Sequence, residues 1–438
     1  MSHDVVWNLV AIPLTPIHVG DGSVLTPETY DLDADALLRF SPSAVLHSMA
    51  ADRRALWSAA LDRGDLKAAW RVIRGARRPE HVLERIGVGP AARAEIGKLL
   101  DSDDRAGEIR PMLRSGSTKL VPGSSIKGAL RTALLSHRVV GHEAEIEADK
   151  ARARSPKGEL SGAASDDVQR GLLGHRSTDE DPFRFVGVSD LVMPVDSTRV
   201  DRVINWRPSR LLPGGAQPAE KMQMLVERLR AASDGPDVPL AEITIAVAAG
   251  RLERSQRLDG DRRKTPSRPI APAELIEAAR TFHWTLFDQE RNRFYADEPG
   301  IRAALDAAFR VRLADGTVLD ERGLRARPDM ILLRVGRFGQ FESKSLAGVR
   351  EGWNPQAHPP RAMTVGNTRN LVRTADHAPL VPFGWLLLAP PGTRSAAGRW
   401  RLDGEEVEEL SRDADGVTVR FANGDIDTVP PDELEPIG

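Results

Sequence analysis

The chain has 438 residues, 41% of them hydrophobic and 28% charged, with a net charge of −2. Two domains with insertions are the default at this length, and the balanced charge excludes a uniformly basic nucleic-acid coat, leaving only local basic patches for such contacts. The absence of cysteine removes disulfides, thiolate zinc sites and cysteine nucleophiles together.

The N-terminus shows no basic segment followed by an apolar stretch, the mark of a secretory leader, and no later apolar run approaches the roughly 20 residues that span a bilayer. A soluble, cytoplasmic protein without a membrane partner is expected. Residues 5–13 are an apolar run of strand length, and Ile17-His18-Val19-Gly20-Asp21-Gly22 reads as a glycine-punctuated loop. Residues 30–40 alternate around Asp33-Ala34-Asp35 and predict a hairpin, after which Ser41 is placed to cap a helix holding Val45, Leu46, Met49 and Leu56. Residues 62–108 are helical in composition. Residues 119–121 end a strand. Residues 143–181 are polar and poor in large apolar side chains, which predicts a mobile insertion. Strand character returns over 183–203, a short helix is expected near 222–229, and 240–252 is a strong strand followed by a basic tract to Arg268. Residues 272–294 and 301–313 have helical apolar spacing, while 330–335 and 381–388 read as strands. In the tail, 407–410, 416–421 and 427–429 alternate like short strands around an Asn423-Gly424 turn. The tail is expected to form a barrel-like module, or extra strands on a second domain.

The most informative stretch runs from Val121 to Leu135. A Pro122-Gly123 turn leads into Ser124 and Ser125, both able to cap a helix. Ile126, Leu130 and Leu134 fall at i, i+4, i+8 and face a core. Lys127, Arg131 and Arg138 lie within about 40° of one another on the other side, with Gly128 beside them to admit a backbone. The free amides of the first turn point toward an anion. This pattern suits a grip on a phosphodiester chain, and equally an amphipathic helix with a solvated basic face. Later, Gly336-Arg337-Phe338-Gly339 fits a G-x-x-G clamp whose amides can approach phosphates. Arg334, Lys344 and Arg350 add charge, and Phe338, Phe341 and Trp353 are placed either to stack on bases or to fill a core. His18 has the chemistry of a general base toward a ribose hydroxyl, or of a packing residue. Asp21 is a candidate acid, or plain turn chemistry. The chain has no HExxH, no Walker loop and no G-x-S-x-G elbow, so neither a metal nor a cofactor is expected.

Together these pieces resemble the RAMP superfamily of CRISPR proteins, and within it the fifth-subunit family of the type III-A (Csm) effector complex. The resemblance rests on the segment from Leu14 to Gly22, the segment from Val121 to Arg131, Val186-Gly187-Val188-Ser189-Asp190, and the late loop from Gly336 to Lys344 with Thr368-Arg369 and Pro382-Phe383-Gly384-Trp385. It implies an α+β chain of two ferredoxin-like, RRM-related domains, residues 1–205 and 206–395, with helical and disordered insertions, the mobile one at about 143–181. A small β-rich extension, 396–438, lies outside the family pattern. The implied protein is a non-catalytic, crRNA-binding subunit that caps the backbone filament at the 3′ side of the guide. Its implied partners are crRNA, the neighbouring backbone RAMP subunit and other Csm-type subunits, target RNA indirectly, and host nucleases that complete guide maturation. The candidate RNA contacts are His18, Gly123, Ser124, Ser125, Lys127, Gly128, Arg131, Gly336, Arg337, Phe338, Gly339, Lys344 and Arg369. No catalytic residue is carried over. Two alternatives are a metal-independent crRNA-processing endoribonuclease using His18, and a target-cleaving backbone subunit. The late loop also departs from the family, being poorer in glycine and carrying Ser343-Lys344-Ser345 where Ser-Lys-Thr is typical.

Overall fold

A computed structural model describes residues 4–34, 36–101, 107–155, 162–212, 219–235, 238–248, 266–354, 361–374, 378–396, 399–412, 416–421, 423, 425–430 and 433–436. The first strand, β1 (Val5–Pro13), alternates exposed and half-buried side chains in its first half and is buried throughout from Leu9 onward. The expected hairpin forms between β2 (Tyr30–Leu32) and β3 (Ala36–Phe40). Ser41 caps the next helix by accepting from the Ala44 amide. The stretch 62–108, helical in composition, also contains β4 (Val82–Val88), which pairs antiparallel with β3 and buries Ile86.

Helix α1 (Gly123–Val139) buries Ile126, Leu130 and Leu134 completely, at about 1.5–3 kcal/mol per side chain. It begins at Gly123, with Pro122 as the N-cap and no side-chain cap bond, so Ser124 and Ser125 sit inside the first turn instead of capping it. Then come β5 (Val186–Val188), β6 (Thr198–Arg207), β7 (Ala219–Leu229) and β8 (Ala241–Val247), the long helix α2 (Pro272–Phe294), β9 (Ile331–Arg334), β10 (Arg369–Arg373) and β11 (Trp385–Ala389). The helix expected near 222–229 is therefore a strand. Its polar residues Glu227 and Arg228 look like a helix surface in sequence, but both are buried by ion pairs, and tertiary pairing overrides local propensity.

Five strands form a central antiparallel sheet in the order β9-β11-β1-β8-β5. Taken along the chain, β1, α1, β5, β8, α2 and β11 give a β-α-β-β-α-β succession, with sheet order β11-β1-β8-β5; that is ferredoxin-like connectivity. The helices α1 and α2 pack on each other, α1 meeting β5 and β9, and α2 meeting β9. This arrangement corrects the division at residue 205. The central sheet draws β1 and β5 from before that point and β8, β9 and β11 from after it. A second sheet does the same: β7 runs along one edge of β6, while β10 (antiparallel) and β4 (parallel) share the other. The two halves are interleaved because β1 needs hydrogen-bond partners on both edges, and they come from beyond residue 240.

The insertion expected to be mobile carries helices Glu143–Ala153 and Gly162–Leu173 among the described residues. They dock through Ile146, Leu172 and Leu173. Lys150 is buried with them, donating to Val349 O at 3.0 Å and pairing with Glu147 at 2.6 Å and Glu351 at 3.2 Å. Of the basic tract to Arg268, residues 251–265 lie outside the described residues. The tail forms a five-stranded sheet over its own cluster of Leu402, Val407, Val417, Val419, Val429 and Leu434. Gly424 of the expected turn lies outside the described residues, though Phe421 and Asp425 bond across it.

Candidate nucleic-acid interface

The start of α1 is clasped to the loop after β5. The Gly123 amide donates to Asp190 Oδ1 at 2.7 Å, so one of the helix's free first-turn donors is already used by a carboxylate of this chain. A Cβ at residue 123 would lie 2.3 Å from Val188 O and 2.7 Å from Ser189 O; only glycine fits so close an approach. Two of the sequence motifs, Val121 to Arg131 and Val186 to Asp190, are thus the two sides of one joint. Ser124 and Gly128 are exposed, and Ser125 is half-buried with its amide bonded to Pro122 O at 2.9 Å.

The basic stripe of α1 is only partly available. Arg131 pairs with Asp181 at 2.7 Å and lies over the Phe183 ring at 5.1 Å. Arg138 makes two bonds to Glu274, at 2.8 and 3.0 Å. Lys127 is half-buried; burial lowers its pKa below the usual lysine range, opposed by Asp181 and reinforced by Arg131. Of the three cations expected on this face, Lys127 is the one for which no salt bridge is found among the described residues.

A second joint ties the late loop to the segment after β1. Arg337 N donates to His18 O at 2.8 Å and Gly384 N to Pro16 O at 2.7 Å. Gly336 has φ +87°, and a Cβ there would meet His18 O at 2.7 Å. His18 itself is 1% exposed, with Nδ1 at 2.7 Å from Glu227 O and its ring stacked on Phe338 at 5.7 Å. Burial lowers its pKa to about 4 despite the opposing bond to Glu227, with Arg337 and Arg110 adding to the fall and Asp21 opposing it. The imidazole is neutral at physiological pH. As an RNA contact or a general base, His18 is corrected to a packing residue. Asp21 accepts from the Ser23 amide at 2.8 Å and hydroxyl at 2.6 Å, which is turn chemistry.

Phe338 is corrected as well. It is buried with Val203, Val226, Val372 and Phe383, so it fills a core instead of stacking on bases. Gly339 is buried, its carbonyl accepting from Ser343 Oγ at 2.6 Å. Arg369 is 3% exposed and paired with both Glu290 and Glu342 at 3.1 Å; a guanidinium so committed cannot reach a strand outside. Arg337 and Lys344 remain exposed on the loop, Lys344 Nζ donating to Arg337 O at 2.9 Å. The start of α1 abuts edge strand β5, and the late loop follows the opposite edge strand β9. The structure therefore keeps the two expected grips on opposite sides of the sheet.

Comparison with known families matches residues 12–308, well over half of the chain, to the RAMP superfamily. The chain belongs to the RAMP superfamily. No curated protein sequence matches it. Its fold is similar to a chain of a Csm–crRNA–target RNA ternary complex from a type III-A CRISPR-Cas system (15% identity, TM-score 0.55, covering 87% of this chain and 99% of that one). It is also similar to Csm5 of T. onnurineus (14% identity, TM-score 0.52, covering 86% and 99%).

What sequence reasoning missed in this RAMP protein is where its arginines go. Glu290 and Glu342 hold Arg334 and Arg369 in one buried cluster. Burial pushes the Glu342 carboxyl up, but Arg369 and nearby amides outweigh it and keep the group below the usual carboxylate range. A signal for the cluster existed: Glu290 continues the spacing of Phe282, Leu286 and Phe294 along the apolar face of α2. A carboxylate in that row calls for a buried cation. Among the described residues, no His, Asp and Glu cluster is arranged to hold a metal ion, and no helix is long and apolar enough to cross a membrane.

Proposed function

We propose that this protein is the crRNA-binding fifth subunit of a type III-A (Csm) effector complex and that it is not itself a nuclease. The observation that carries this is coverage: the chain matches 99% of both Csm neighbours, so the whole of that fold has a counterpart here. In this role a single copy caps the backbone filament at the 3′ side of the guide in the cytoplasm. It abuts the neighbouring backbone RAMP subunit and other Csm-type subunits, meets target RNA only indirectly, and helps maturation through host nucleases. The exposed cations Arg337 and Lys344, with half-buried Lys127 and the first turn of α1, grip guide phosphates. Such contacts fix register without reading bases, which suits a subunit that must accept any spacer. The burial of His18 supports a non-catalytic role, since that imidazole is not free to act as a general base.

Native mass spectrometry of the purified assembly tests the assignment, with one copy of this chain per crRNA as the expected result. Several copies would instead indicate a repeated backbone subunit. Repeat RNA incubated with the protein in chelator should stay intact; cleavage abolished by His18→Ala would overturn the non-catalytic reading.

A further inference from the structure

Behind the late loop lies a cavity of about 890 Å³, bounded by α2, by the loop residues Gly339, Gln340 and Ser343, and by Trp385. Its volume falls within the range of roughly 300–1,000 Å³ usual for small-molecule sites. Trp385 is 1% exposed and its indole Nε1–H finds no partner among the described residues. Arg334, 4% exposed, is held by Glu290 through its terminal nitrogens, while its Nε–H is also unpartnered. Glu342 Oε1 accepts from Gly366 N at 2.9 Å and Arg369 at 3.1 Å, but the buried Oε2 accepts from nothing. Gln340 Nε2 and Arg350 Nε are likewise buried without partners. Buried polar atoms are nearly always hydrogen-bonded. A wall carrying several free donors and one free carboxylate oxygen is built to meet a polar group.

The same wall favours a planar anionic ligand. The Arg334 guanidinium carbon lies 4.5 Å from the centre of the Trp385 ring and that of Arg369 3.4 Å from the centre of the Phe294 ring, giving guanidinium and aromatic surfaces of the kind on which bases stack. Four arginines line the space (Arg293, Arg334, Arg350 and Arg369) against Asp288, Glu290 and Glu342, and Asp288 is already paired with Arg325. Arg350 has no salt bridge among the described residues. The loop that forms one wall also carries exposed Arg337 and Lys344 on its outer side.

We propose that this cavity binds one nucleoside phosphate unit, its base against the Trp385–Glu342 wall and its phosphate toward Arg350. The unit is either a free nucleotide or one residue of an RNA strand gripped at Arg337 and Lys344; the second case rests on the RNA-binding function proposed above.

The full-length protein is titrated calorimetrically with each of the four nucleoside 5′-monophosphates. Single-site, saturable binding of at least one is expected. It should weaken tenfold or more in Trp385→Phe, which keeps an aromatic ring and loses the indole N–H, and in Arg350→Ala. The Arg350 variant, which breaks no ion pair, decides the matter should Trp385→Phe fail to fold. In parallel, short 4-thiouridine RNA is crosslinked and the adducts are mapped. Adducts on residues 340–350 that the monophosphate competes away identify a strand residue as the occupant; monophosphate binding without such adducts identifies a free nucleotide. Lack of saturable binding by all four, or binding indifferent to both variants, overturns the proposal. Salt-dependent RNA binding that persists in that event leaves the RNA function standing, whereas monophosphate binding by a protein that ignores RNA removes the RNA function and keeps the cavity site.

Discussion

Replacing Lys127, Arg337 and Lys344 together with alanine should flatten the salt dependence of RNA binding far more than replacing the arginines beside them on α1. Each cation that neutralises a phosphate of a single strand contributes about 0.7 to the slope of log K against log salt. Three such contacts predict a slope shallower by about 2. Arg131 and Arg138 are the counter-case. They share the same helix face, but Asp181 and Glu274 already neutralise them, so displacing those carboxylates to engage phosphate gains little. Arg131→Ala with Arg138→Ala should therefore leave the slope nearly intact while lowering the melting temperature, since Arg131 also covers the Phe183 ring and Arg138 ties α1 to α2. The assay is fluorescence anisotropy with a labelled single-stranded RNA of arbitrary sequence, titrated at salt between about 50 and 200 mM. A slope untouched by the triple change would refute the assignment of these three cations. A slope lowered equally by the arginine pair would show that ion pairing within the chain does not decide which cations meet RNA.

Gly123→Ala places a Cβ 2.3 Å from Val188 O and should cost at least the roughly 1–3 kcal/mol typical of overpacking, read by denaturant unfolding. Gly128→Ala meets nothing within 4 Å and should stabilise the helix by up to about 1 kcal/mol; if it also weakens RNA binding, the strand passes over that turn. Asp201→Ala leaves Arg228, fully buried and 2.5 Å from Asp201 Oδ2, with part of its charge uncompensated, and should destabilise by about 3–5 kcal/mol. Part of the pH dependence of stability, in addition to that from the buried His283, follows from His18. Its pKa falls from 6.5 to about 4 on folding, so the unfolded chain binds the extra proton first, and stability present above pH 6.5 is lost as pH drops toward 4. The displacement corresponds to about 3 kcal/mol. Urea unfolding of His18→Gln across that window should show a shallower acid loss than the parent, and an unchanged profile would contradict the buried neutral imidazole.

Local pattern carried a large part of this fold. The core row of α1, the full extent of α2, the first strand and the 30–40 hairpin follow from spacing and turn residues alone, because each is decided by its own neighbours in sequence. The misses involve partners far along the chain. Residues 222–229 read as helical because Glu227 and Arg228 look like solvent residues, and they become strand residues once Arg114, Asp201 and Asp234 bury them. The domain boundary failed for the same reason, since the register partners of β1 lie 230 or more residues away, in Ala241–Val247 and Trp385–Ala389. In the candidate site, residue type was a fair guide to chemistry and a poor one to availability. Arg131, Arg138 and Arg369 have the charge to hold phosphate, but carboxylates 50, 136 and 27 residues away already hold them. Nothing local in the sequence distinguishes them from Arg337.

The most specific motifs of this chain turn out to be joints. Gly123 with Asp190 fixes α1 to the β5 edge, and Gly336 with the His18 carbonyl fixes the late loop to the end of β1. Each glycine is required by the closeness of a carbonyl from another segment, so these motifs shape the surface without themselves supplying charge to it. Arg228, Arg334 and Arg369 are buried in ion pairs and Arg114 is held by Glu84 and Glu227, so these four cations are committed within the chain. Under the proposed function, a grip limited to Lys127, Arg337 and Lys344 predicts a weak hold on RNA by the isolated chain, with adjoining subunits supplying the rest. Three phosphate contacts correspond to a slope of about −2 for the isolated protein. A measured slope of about −5 or steeper would mean that other cationic surfaces, beyond Lys127, Arg337 and Lys344, carry most of the binding.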